Sequence, residues 1–152
     1  HVLKSENPHI INISPPLDMN PDWFSGHVAY SMAKFGMSLC VLGMAAEFKD
    51  DGVAVNALWP RTAIATAAVK NVLGGEQLVN ISRGPEIMAD AAYVILTKPS
   101  KEFSGNFCID DTLLAENVVS DFSVYADVPF DQLAPDFFVP EDMPPPEAAK
   151  KS

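Results

Sequence analysis

Tyr30-Ser31-Met32-Ala33-Lys34 stands between Ile11-Asn12-Ile13-Ser14 and Val55-Asn56-Ala57-Leu58-Trp59-Pro60, and the reading of this stretch decides the fold. The five residues open a long helical pattern over about 26–48. In it Ala33, Met37, Val41, Met44 and Phe48 repeat at helical spacing as one apolar stripe, and Ser25 is the expected N-cap. Before the helix, His9 to Ser14 is a short β-branched apolar run that suits a buried parallel strand, ended by Pro15 and Pro16. After it, Lys49-Asp50-Asp51-Gly52 stops the helix, and Val53 to Leu58 is a second run of strand length. Thr62 to Gly75 reads as a loop with helical character, Glu86 to Leu96 as a helix opened by Pro85, and Phe103 to Ile109 as a third strand. Strand, helix, strand, helix, strand is the pattern of an α/β fold with a parallel sheet. Ligands on such sheets bind beyond the carboxyl ends of the strands, here near Ser14, Pro60 and Asp110.

Charge divides the chain. Its 152 residues hold 10 Lys plus Arg and 20 Asp plus Glu, for a formal net charge of −10. From Asp110 onward ten acids face two bases, and six of the 13 prolines fall there. A core domain over 1–117 and an acidic, proline-rich extension or linker over 118–152 are therefore expected. Phe122, Tyr125, Phe130, Phe137 and Phe138 suggest that the first half of the extension docks on a surface, while the stretch from Glu141 reads as a linker or frayed end. The acidity argues against nucleic acid, which needs a basic face. No signal peptide opens the chain, and no apolar run is read as a membrane span. Cys40 and Cys108 lack any metal-ligand spacing and read as reduced intracellular thiols, so no metal is expected.

Tyr30 and Lys34 are four residues apart, so they share one helix face. A phenol near pKa ~10 is a poor acid or base at neutral pH, and a neighbouring ammonium favours its ionised form. Such a pair can pass a proton to or from a substrate oxygen. The motif Tyr-x-x-x-Lys, after a strand ending in Asn12-Ile13-Ser14 and before a strand leading into Pro60, resembles the short-chain dehydrogenase/reductase family in its C-terminal half. Phe103 to Asp110 resembles that family's last strand. The resemblance covers about residues 1–114 and implies a partial Rossmann-like, doubly wound parallel sheet.

It also implies roles. Tyr30 is the proton donor or acceptor, Lys34 holds the nicotinamide ribose of NAD or NADP, and Pro60, Thr62, Ile64 and Thr66 lie along the nicotinamide. Thr62 to Arg83 is the implied substrate lid, and the long helix pairs with a second copy in a homo-oligomer. Met32, Leu58, Trp59, Ile64 and Val69 suggest a hydrophobic substrate, which fits lipid metabolism.

The chain departs from the family pattern in three places. The serine usual 13 residues before the tyrosine is replaced by Leu17, which leaves Ser14 as the nearest candidate to polarise a carbonyl and Ser25, the expected N-cap, as the other. The glycine usual after the turn proline is Arg61, expected either to reach a phosphate or to be solvated. No glycine-rich GxGxxG turn occurs in these residues, so the cofactor-binding N-terminal half is expected to lie outside them. Residues cut from such a sheet are expected to be prone to aggregation. A non-catalytic interaction module and a pseudoenzyme are the rival readings. The expected compartment is intracellular: the cytoplasm in a bacterium, a mitochondrion or peroxisome in a eukaryote.

Overall fold

The computed structural model describes residues 1–117 and 119–151; Val118 and Ser152, the two ends of the expected extension, lie outside the described residues. The chain forms two compact units, His1–Trp59 with Ala92–Cys108, and Pro60–Ala91 with the chain from Ile109 onward.

The first unit is built on a three-stranded parallel sheet in the order β1 (His9–Ile13), β2 (Ala54–Trp59), β3 (Phe107–Ile109). The register of β1 against β2 runs from His9 opposite Ala54 to Ile13 opposite Leu58. Every residue of β2 is buried, as its continuous apolar run requires of a central strand. Asn56 is the polar exception in that run, and both ends of its side-chain amide are bonded. Its Nδ2 donates to the Phe103 carbonyl at 2.9 Å, and its Oδ1 accepts from the Asn106 backbone N–H at 3.0 Å and from Asn106 Nδ2 at 2.9 Å. The third strand is therefore shorter than the expected 103–109, because Phe103 to Asn106 is held by this side-chain bridge.

The crossover from β1 to β2 is α1 (Val28–Glu47). Its N-cap is His27, not Ser25, with φ −133° and no capping bond from its side chain. Its inward face also differs from the expected stripe. Ser31, Phe35, Ser38 and Val41 are buried, whereas Ala33 and Met37 are exposed. The cause is hydrogen bonding: the Ser31 hydroxyl donates to the Trp23 carbonyl and Ser38 Oγ to the Pro15 carbonyl at 2.6 Å, so two hydroxyls face in. Below them Val41 packs with Val53, Val55 and Ala57, joined by Ile10, Met44, Phe48 and Phe107. Each fully buried valine contributes roughly 1.5–3 kcal/mol. By length and composition alone α1 could cross a membrane, contrary to the expectation that no run would; in this fold its Val41 face packs on the sheet.

In the second unit the expected loop with helical character is a π turn (Val69–Leu73) followed by α2 (Gly75–Val79). The helix α3 (Glu86–Thr97) ends one residue beyond the expected boundary. A further helix, α4 (Asp110–Asn117), starts directly after β3 and was not expected. Phe122, Tyr125, Leu133 and Phe138 are buried, as their docking requires. The stretch beyond Glu141 is also held, since the carbonyls of Met143 and Pro144 accept from Arg61 and Ala149 is buried.

Candidate active site

Three candidate residues lie in the first unit, around the end of β1. A strand that stops leaves carbonyls without ladder partners, and α1 supplies donors to them. Lys34 Nζ donates to the Ile13 carbonyl at 3.2 Å, and Ser38 Oγ serves the Pro15 carbonyl. Asn12 Nδ2 reaches back to the Met37 carbonyl at 3.2 Å. These bonds fix α1 against the strand end from both sides. The Lys34 ammonium also lies 5.1 Å from the centroid of the Trp59 ring, within cation–π range.

Tyr30 sits one turn before Lys34, about 5–6 Å away at Cβ by helix geometry, and its side chain is about half exposed at 49%. The other two tyrosines are poor rivals. Tyr125 is buried, donates to Asp90 Oδ2 at 2.7 Å, and has its pKa pushed up to about 12 by burial and then by Asp90. Tyr93 lies exposed on α3. Ser14 is fully buried, and its Oγ has no hydrogen-bond partner among the described residues. A hydroxyl in that state costs about 1–3 kcal/mol until something bonds it.

The remaining candidates lie in the second unit. Pro60, Thr62 and Ile64 are buried. Thr62 Oγ1 has no partner among the described residues. Thr66 is exposed, and its Oγ1 accepts from the Val69 N–H at 3.3 Å, a local turn bond. Leu58, Trp59, Ile64 and Val69 are all buried, so only Met32 of the five suggested substrate-facing residues is exposed. Arg61 is neither solvated nor presented to a ligand; it is 6% exposed and ion-paired with Asp111 at 2.7 Å. Sequence reasoning missed this pair because fifty residues separate its members. The available signal was Asp110-Asp111, two acids directly after an apolar strand.

The chain is 55% identical over 146 residues to hydroxysteroid dehydrogenase-like protein 2 of Danio rerio, covering 94% of the chain and 34% of the relative. The Homo sapiens protein of that name is 53% identical over 151 residues, covering 99% and 35%. A crystal structure of a short-chain dehydrogenase from Mycobacterium thermoresistibile superposes with a TM-score of 0.82 at 48% identity, covering 95% of this chain and 51% of that one. Sequence and fold match the C-terminal half of short-chain dehydrogenases. The chain spans about a third of the length of the curated relatives it matches, and about half of that solved dehydrogenase chain. The ketoreductase LanV, solved with bound NADP, shares the fold at a TM-score of 0.52 and 18% identity. No protein-family model matches the chain.

Proposed function

We propose that these residues carry the proton-transfer part of an NAD(P)-dependent oxidoreductase that interconverts an alcohol and its carbonyl. The observation that carries the reading is the pinning of Lys34 to the Ile13 carbonyl at the β1 terminus, one helical turn from Tyr30 and next in sequence to the buried hydroxyl of Ser14, which has no partner among the described residues. The nicotinamide, when bound, supplies or accepts the hydride. Tyr30 passes the proton to or from the substrate oxygen, and the fixed charge of Lys34 favours its phenolate. Ser14 donates to the carbonyl oxygen, which gives its hydroxyl the partner it lacks. Lys34 has two ammonium protons beyond the one given to Ile13, enough for the ribose hydroxyls.

The name of the relatives supports a hydrophobic, lipid-like alcohol as substrate. The coenzyme is NADP or NAD; the NADP bound to LanV is that protein's own. The exposed apolar residues of α1 support pairing with a second copy. The compartment we propose is intracellular.

The test is Tyr30→Phe in the natural polypeptide, assayed with NADH and NADPH against hydrophobic ketones. Turnover is expected to fall by about 10²–10⁴-fold with coenzyme binding retained. Retained turnover would reject Tyr30 as the proton-transfer residue. A pseudoenzyme or interaction module would show no turnover before the substitution.

A further inference from the structure

The segment that leaves β2 is held on both sides within the second unit. On one side, the Arg83 N–H donates to the Ala63 carbonyl and the Ala65 N–H to the Arg83 carbonyl, each at 2.9 Å. On the other side, the Ala63 N–H donates to the Ala134 carbonyl and the Asp136 N–H to the Arg61 carbonyl, again at 2.9 Å. Thr62 thus pairs antiparallel with Pro135, and Ile64 pairs parallel with Arg83. The run 61–65 is the middle of three, and its outer partner on one side is the C-terminal extension. The Ala134 N–H closes the arrangement by donating to the Ile81 carbonyl at 2.8 Å.

The Arg61 side chain fastens the same extension at a second point. Its Nε lies 2.7 and 2.8 Å from the two carboxylate oxygens of Asp111. Its Nη1 donates to the Met143 carbonyl at 2.7 Å. Its Nη2 donates to Thr112 Oγ1 at 2.8 Å and lies 3.4 Å from the Pro144 carbonyl. A planar fork with five N–H donors can serve a carboxylate, a hydroxyl and two carbonyls together; a lysine cannot, and a glycine offers nothing. The cost of burying this guanidinium is offset only if nearly all its donors are used, and here each guanidinium nitrogen has a partner.

We infer that Arg61 is a positioning residue: it latches the C-terminal strap over 133–144 to the run 61–65, and the strap sets how Thr62 is presented. The inference rests on the proposed reading of Pro60 to Thr66 as the stretch along the nicotinamide. Thr62 is the residue most directly governed. Its neighbours on both sides are bonded to the strap, Pro135 lies opposite it, and its Oγ1 is buried with no partner among the described residues. The acidic, proline-rich extension then has a task in the reaction beyond linking.

The test uses the natural polypeptide with three variants: Arg61→Ala, Arg61→Lys, and a chain stopped after Pro140, which removes the Met143 and Pro144 carbonyls but keeps the 134–136 pairing. Amide hydrogen exchange at Ala63, Ala65 and Arg83 is expected to rise at least about tenfold in Arg61→Ala, and less in Arg61→Lys and the shortened chain, while β2 amides keep their protection. The coenzyme KM is expected to rise about tenfold with kcat held within about threefold. Unchanged exchange in Arg61→Ala and in the shortened chain would overturn the latch. Faster exchange with an unchanged KM would overturn the positioning role. Absence of nicotinamide binding by the unaltered protein would instead reject the proposed function, and the exchange result would still decide the latch.

Discussion

Asp110 accepts two backbone N–H bonds at one oxygen, from Arg61 at 3.0 Å and from Asp111 at 2.7 Å, while its Oδ2 is buried without a partner among the described residues. Burial, and then the charge of Asp111, raises its pKa from 3.8 to about 7; the two backbone bonds and Arg83 act in the other direction. Between about pH 4 and pH 7 the native state therefore holds a proton that the unfolded chain releases. This group's contribution to stability falls as pH rises through that window and is flat above it. Asp110→Asn keeps the oxygen that accepts both bonds and removes the titration. The variant is expected to gain stability relative to the unaltered protein between pH 5 and pH 8, by roughly 3 kcal/mol at most, the two units of the shift that fall in that range. Urea unfolding midpoints at the two pH values measure it, and parallel pH profiles for the two proteins would contradict the assignment. Tyr30 and Lys34 were legible in sequence because helix periodicity alone puts them on one face. The setting of Asp110 and Arg61 was not, since their charge balance is made with Asp111, Arg83 and a carbonyl some eighty residues from Arg61.

At the scale of elements, β1, α1, β2 and α3 were readable from apolar runs, helical spacing and Pro85, because those patterns are local. The face of α1 was not. Hydropathy turns Met37 inward, but the carbonyls of Trp23 and Pro15 draw Ser31 and Ser38 in instead, and a weakly sided helix follows the hydrogen bonds. Beside the buried face, Val28, Met32, Leu39 and Leu42 form an exposed apolar row, each more than half accessible. A row of that kind marks an interaction surface, and a two-fold pairing of this helix with itself would bury it twice over. Leu39→Glu with Leu42→Glu is therefore expected to convert the natural polypeptide to a lower oligomeric state, read as molar mass by light scattering. An unchanged mass, or a monomeric unaltered protein, would reject pairing through this row. Since both residues are more than half accessible, the unfolding temperature of the resulting subunit is expected to shift by only a few degrees.

At the scale of the whole chain, the sheet order β1-β2-β3 leaves β1 with strand partners on one side only among the described residues. Its outer edge has no strand partner among the described residues along His9–Ile13, although Lys34 Nζ donates to the Ile13 carbonyl, and Ile13 is 44% accessible. A bare apolar edge is a template for pairing with another chain. In the solved dehydrogenase that matches at a TM-score of 0.82, this segment corresponds to only 51% of the chain, so the relative has further structure available to cover the equivalent edge. The 152 residues expressed alone are accordingly expected to self-associate, with apparent mass rising with concentration, and not to bind NADH or NADPH. Charge does not prevent this, because the excess of acids lies from Asp110 onward and β1 itself carries none. A substitution at the edge isolates the cause. Ile11→Lys puts a charge where a second chain would pair, and it is expected to suppress association measured by sedimentation velocity at several concentrations. If the unaltered 152 residues stay monomeric at every concentration, the edge is not a pairing site. If Ile11→Lys associates as strongly as the unaltered chain, the exposed row of α1 becomes the surface to substitute next.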